Sequence, residues 1–299
     1  MYLNINTSRA RKTFKRLIGH TNHYLITILV GLDYVQKNDV ILAEDFRTTW
    51  NPQNKLSSVN RSRDFSINST LSWGIDALDA YLGLSHKKPS LYQIKDLYDK
   101  ASGAGQSISF KFNVIKDYLI SNNSNDEFEK TAALVEVAIQ WRNNLVHYFA
   151  ENEITKETED TLLNNSEFYF NNFQGLYIQQ FLEHFKDNIT PRFKEVTSII
   201  RGLHKVVEAI DCYLLNVIDK ELYFIETLDY HIHLNTKNTD LKSKLGLMYN
   251  LNCERRYKSI IQSMMNYGFF ITEEVSDIKL NWIEIISELS FTKAYVFLI

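Results

Sequence analysis

The chain has 299 residues, 44% of them hydrophobic, and a net charge of −3 from 33 basic and 36 acidic side chains. That length and apolar content fill the core of one large or two ordinary domains and exclude wholesale disorder, while an acidic balance leaves no global attraction for nucleic acid, so contact with a polyanion must be local. Only 3 Pro and 10 Gly occur, which argues against sheets joined by tight hairpins and for long helices.

From the amino terminus, the basic cluster Arg9, Arg11, Lys12, Lys15 and Arg16 opens a helical segment expected over Arg9 to Gln36. A signal peptide is the competing reading, but His20, Asn22 and His23 interrupt the apolar run, no small-residue cleavage site follows, and the run meets Asp33 too soon to span a bilayer. The expectation is an amphipathic helix in a cytoplasmic protein with no membrane contact. A loop is expected from Phe46 to Phe65, a stretch rich in Asn, Ser and Arg that holds Pro52.

A second helix is marked by Ile67, Leu71, Ile75, Leu78 and Leu82, whose steps of three and four make one apolar stripe, with Gly83 near its end. Ser72, Asp76 and Asp79 form its polar strip. Shorter helices are expected at Leu91 to Lys100 and Ser107 to Ile120, separated by a turn at Ser102 to Gly105. That turn lacks the Gly-Lys-Ser/Thr ending of a phosphate-binding loop. The loop from Ser121 to Glu127 offers Ser124 or Asp126 as a helix cap.

The helix expected from Glu127 to Ala150 carries the chemistry. At about 100° per residue, Glu136, Gln140, Asn143, His147 and Glu151 share one polar strip, and Leu134, Ala138, Trp141, Leu145 and Phe149 face a core. Arg142 falls among Val135, Ile139 and Val146. A guanidinium cannot be buried there alone, because an unpaired charge costs several kcal/mol; it needs an acid or an anionic ligand, and Asp76 is the preferred partner. An imidazole that titrates near neutrality, a fixed guanidinium and an orienting amide suffice to help a ribose 2′-OH attack its own phosphate.

Arg142-Asn143-Asn144-Leu145-Val146-His147, an Arg, a polar residue and a His near a helix end, resembles the signature of the HEPN superfamily. The segment STLSWGIDALDAYL is similar to an early helix of that family, which supplies a polar or acidic residue to the site. Over about Phe65 to Leu182 the resemblance implies an all-α, HEPN-like helical bundle dimerised through its motif-bearing helices. It implies metal-independent endoribonuclease activity of the toxin or anti-phage kind, with Arg142, Asn143, His147 and Asp76 as catalytic residues and Asp79 as a lesser candidate. It also implies an antitoxin or regulatory protein as partner. Family members that have lost activity leave open a scaffold that binds a nucleotide or a protein.

Expected RNA contacts are Arg63, Arg11, Lys12 and Lys15. No cofactor and no metal is expected: the pairs His20 with His23 and His231 with His233 lack a third ligand. Trp73, Trp141 and Tyr148 are expected in the core or at a dimer interface. Cys212 and Cys253 have no C-x-x-C spacing and are expected to be buried thiols in a reducing compartment. After Pro191 a long amphipathic helix begins. The expected domains are residues 1–188, carrying the motif, and a C-terminal helical region over 189–299.

Overall fold

The computed structural model describes residues 1–39, 54–101, 106–123, 125–146, 152–234 and 241–298. In chain order these form β1 (Tyr2–Ile5), α1 (Arg9–Ile18), α2 (Thr21–Lys37), α3 (Lys55–His86), α4 (Lys95–Ala101), α5 (Ile108–Asn122), α6 (Asp126–Val146), α7 (Lys156–Asn164), α8 (Ser166–Asn172), α9 (Ile178–Lys186), α10 (Phe193–Val217), α11 (Lys220–His233), α12 (Leu241–Tyr249), α13 (Cys253–Asn266), β2 (Phe269–Thr272), β3 (Ile278–Lys279), α14 (Leu280–Glu288) and α15 (Phe291–Leu298). The fold is all-α apart from one small sheet, and no described helix is long and apolar enough to cross a membrane.

The expected boundary near residue 188 is not where the chain divides. One compact unit is built from Met1–Phe14, Ala80–Ser124 and Val207–Ile299, and the other from Lys15–Asp79 and Asn125–Val206. Each unit is thus assembled from separate stretches of the sequence, and α1, α3 and α10 each contribute residues to both.

The second unit holds the motif. Its core is the apolar stripe of α3, with Leu71, Ile75 and Leu78 wholly buried, against Leu134, Val135, Ala138 and Trp141 of α6 and Ile199, Leu203 and Val206 of α10. Two glycines show how closely these helices approach. A Cβ on Gly74 of α3 would lie 2.8 Å from Ile200 and 3.1 Å from Leu203, and one on Gly202 of α10 would lie 3.3 Å from Leu134. α10 is thus the shared backing of α3 and α6. Trp141 stands edge-on to Phe181 and Phe185 of α9, with centroids 5.3 and 6.0 Å away. Its Nε1 donates to the Ile189 carbonyl at 3.1 Å, which satisfies the indole in an apolar setting.

In the first unit, β1 is the central strand of an antiparallel sheet ordered β2-β1-β3, with Leu3 opposite both Ile271 and Ile278. Gly268 precedes β2 with φ 106°, and a Cβ there would meet the Thr7 carbonyl oxygen at 2.1 Å, so only glycine fits the approach. Behind the sheet, Asp211 of α10 is fully buried. It accepts the Ser8 amide at 3.0 Å, the Ser8 hydroxyl, and the Tyr81 hydroxyl at 3.4 Å. Burial raises its carboxyl above the ordinary aspartate value, against the lowering effect of these donors and of Arg11.

Several local expectations change. The first helical segment is two helices broken at Gly19 and His20, and it is preceded by an unforeseen strand. α3 begins at Lys55 and runs past Gly83 to His86; residues 40–53, and the turn expected at 102–105, lie outside the described residues. Asn125, rather than Asp126, caps α6 by accepting from the Phe128 amide at 3.1 Å; Ser124 lies outside the described residues. Cys212 and Cys253 are exposed free thiols, not buried ones.

Candidate active site

α3 and α6 carry the candidate residues, held by α10 behind them. Beyond Trp141 the apolar packing of α6 thins: Arg142, Asn143, Asn144 and Leu145 are half-buried, and Val146 is exposed. Arg142 makes the ion pair that its place among apolar neighbours requires, with Nη2 2.8 Å from Asp76 Oδ1. Nη1 donates to Asn143 Oδ1 at 3.3 Å. Nε is enclosed with no hydrogen-bond partner among the described residues. The Arg142 side chain is 20% exposed and that of Asp76 60%, so the guanidinium is fixed from the protein side while the carboxylate faces water.

This geometry suits an anion. A guanidinium offers five N–H donors in a planar fork. Asp76 and Asn143 fix its plane, and a phosphoryl oxygen could exchange for the solvent-facing carboxylate or share the fork with it. His147, Tyr148, Phe149 and Glu151 lie outside the described residues, so of the motif His147 is known by sequence alone. Asp79 is half-buried on the next turn of α3.

The polar strip of α6 is partly covered rather than open. Glu136 accepts from the Thr158 hydroxyl at 3.0 Å, at the start of α7. One contact of this segment has no counterpart in the sequence expectations. Asn144 Oδ1 accepts from the Asn152 backbone amide at 2.7 Å and from its side-chain amide at 2.9 Å, and Asn144 Nδ2 donates to the Asn152 carbonyl at 3.0 Å. The side chain thus binds Asn152 as a paired strand would. Two adjacent Asn residues at a helix end were its only trace in the sequence. Asn144 and Asn152 also line a polar hollow of about 590 Å³ with Glu153, Glu159, Lys186 and Asp187.

Three of the four expected RNA contacts are engaged by the protein's own groups. Arg63 is ion-paired to Asp33. Arg11, expected at the surface, is instead 6% exposed and bound to Glu208 of the first unit. Its place on α1 turns it inward beside Asp211 of the same buried cluster. Lys12 donates to the Asn266 carbonyl at 2.7 Å at the end of α13, and burial lowers its ammonium pKa. Lys15 is exposed. Trp141 is in the core, and Trp73 is 53% exposed with Nε1 on the Leu17 carbonyl at 2.8 Å, which leaves the dimer interface as its remaining expectation. Among the described residues no three His, Cys, Asp or Glu side chains gather as metal ligands. No protein-family model, curated protein or solved structure matches the chain.

Proposed function

We propose that this chain is a metal-independent endoribonuclease of the HEPN kind, acting in the cytoplasm as a toxin or anti-phage effector and working as a homodimer through the motif-bearing helix α6 of each copy. The observation that carries the reading is the Arg142–Asp76 ion pair, which holds a guanidinium in place five positions before His147 in the sequence. In this reaction the ribose 2′-oxygen attacks the adjacent phosphorus as its proton leaves, and the bond from phosphorus to the 5′-oxygen breaks as that oxygen gains a proton. The products are a 2′,3′-cyclic phosphate and a 5′-OH end. His147 moves the proton as base or acid, worth roughly 10²–10⁴-fold. Arg142 stabilises charge growing on the phosphoryl oxygens, Asn143 steadies Arg142 or the substrate, and Asp76 positions Arg142. An antitoxin or regulatory protein would restrain the activity.

The test is incubation of the pure protein with RNA in excess chelator, with the new ends read by mass spectrometry. Cyclic phosphate and 5′-OH ends are expected; cleavage undiminished in His147→Ala would defeat the assignment.

A catalytically silent scaffold that binds a nucleotide or a protein is the second reading. It is favoured by the engagement of Arg11, Lys12 and Arg63 with the protein's own groups. Expression in growing cells separates the two readings: a nuclease slows growth and Arg142→Ala relieves it, whereas a scaffold does neither.

A further inference from the structure

The small sheet of the first unit ends on β2, and the hydrogen bonds around β1 show which backbone groups that edge leaves open. Asn6, just after β1, donates its amide to the Gly268 carbonyl at 3.4 Å and so turns toward the β2 side. Leu3 turns the other way: its carbonyl accepts the Ser276 hydroxyl at 2.9 Å, just before β3. Backbone groups alternate in direction along a strand, so Tyr2 and Asn4 bond toward β2 and Leu3 toward β3. Their register partners follow. Thr272 and Phe270, opposite Tyr2 and Asn4, turn inward to β1, whereas Phe269 and Ile271 turn their N–H and C=O groups away from it. Among the described residues no further strand pairs with β2.

The side chains agree with the backbone. Ile271 lies on the face of the sheet that it shares with Leu3 and Phe269, which are 0% and 3% exposed, yet Ile271 itself is 44% exposed. The core face is thus covered over β1 and open at its rim on the outer side of β2. Phe270, on the opposite face, is also exposed. Sheet edges are ordinarily blunted by brevity, by Lys or Pro, or by a bulge. β2 is short, but its sequence FFIT carries neither charge nor Pro. Directly after it come Glu273, Glu274 and Asp277, all exposed. The one cation of β2, β3 and the turn between them is Lys279, on the opposite edge of the sheet.

We infer that β2 takes up an extended segment of a partner protein as a fourth strand, and that this segment carries Lys or Arg where it passes Glu273, Glu274 and Asp277. Outward N–H and C=O groups spaced two residues apart are matched by another extended backbone, the mode in which a peptide joins a sheet edge. A helix satisfies its own backbone and has no such groups to give along its length. On the core face, an aliphatic side chain of the incoming strand covers Ile271. Both existing pairings are antiparallel. An incoming strand that continues the pattern sets its amino-terminal end beside residues 273–277, so its basic residues belong at that end. The inference uses neither Arg142 nor His147, and it holds for a nuclease and for a scaffold alike.

The probe is a fluorescent peptide of about eight residues, an ordinary strand length, with two Lys followed by alternating Thr and Val. Anisotropy with the full chain, titrated to about 0.5 mM so as to reach weak micromolar binding, should show saturable binding. N-methylation of one alternate set of peptide amides removes the donors that face β2 and keeps charge and side chains. It should weaken binding ~10-fold or more, as expected for lost backbone hydrogen bonds, while methylation of the other set changes little. Glu273→Lys with Glu274→Lys should weaken binding by a similar factor. Ile271→Pro removes one outward donor and leaves the ladder to β1, the place where an edge strand tolerates Pro; it should also weaken binding. Should that variant unfold, the exposed Glu pair decides. In the free chain the amides of Phe269 and Ile271 should exchange faster than those of Phe270 and Thr272, and the peptide should slow the first two. The proposal is overturned by absent binding, by methylated peptides that both bind like the parent, or by exchange at Phe269 and Ile271 that saturating peptide leaves unchanged. Protection of those two amides that rises with protein concentration alone also overturns it, in favour of pairing between copies.

Discussion

Two aspartates organise the two units in opposite ways. Asp211 is enclosed, and its carboxylate is taken up by the Ser8 amide, the Ser8 hydroxyl and the Tyr81 hydroxyl. Asp76 is 60% exposed and holds a single guanidinium. A closed cluster whose acceptors are filled from within the chain ties segments distant in sequence together and has nothing to offer a ligand. An open pair contributes little stability, because water screens it, yet it keeps a fixed cation at the surface. The contrast separates residues that hold the fold from residues free to do chemistry, and it can be tested at either end.

The largest effect on stability is expected from Asp211→Ala. It strips buried donors of their acceptor, and unfolding in urea should register a loss of roughly 3 kcal/mol. A loss under about 0.5 kcal/mol, the range of ordinary surface substitutions, would erase the contrast. Arg142→Ala should cut RNA cleavage by on the order of 10²-fold, the scale of losing one donor to a transition-state oxyanion. Its stability cost should stay near ~1 kcal/mol, since Asp76 can rehydrate. Asp76→Asn keeps the shape of the pair and removes its charge. It should slow cleavage by roughly 10-fold, as expected of a partner that orients the acting group, with little change in unfolding midpoint.

The smallest effect concerns pH. Burial raises the Asp211 carboxyl, so the folded chain holds that proton to higher pH than the unfolded chain. Its contribution is full below the ordinary carboxylate range and is lost as pH rises through the raised value. Asp211→Asn should flatten that part of the stability-against-pH curve, while Asp76→Asn should leave it in place.

The central helices were legible because period and burial agree. The stripe Ile67, Leu71, Ile75, Leu78 and Leu82 is buried throughout, and α10 begins two residues after Pro191. The Arg142–Asp76 pair was legible for an energetic reason: a guanidinium among apolar neighbours demands an acid, and α3 carries one on its polar strip. The sheet was not legible. Four residues of β1 give almost no periodic signal, and their pairing with β2 is a property of residues more than 260 positions away. Nor was the inward turn of Arg11, since Glu208, its partner, lies on a helix nearly two hundred residues later. The exposure of α2 was hidden for the opposite reason: its apolar sequence reads as an ordinary core helix, yet only Thr21 and Leu25 of it are buried.

The pairing of β1 with β2 and β3 also sets a timetable. Synthesis at ~5–20 residues per second brings β1 out of the ribosome tens of seconds before the strands that flank it. The first unit therefore waits for nearly the last residues of the chain, while the second is fully translated by Val206. A nascent chain halted between those points would already display Asp76 and Arg142 with β1 still an unpaired ribbon, open to holdase chaperones or to the strands of another nascent copy.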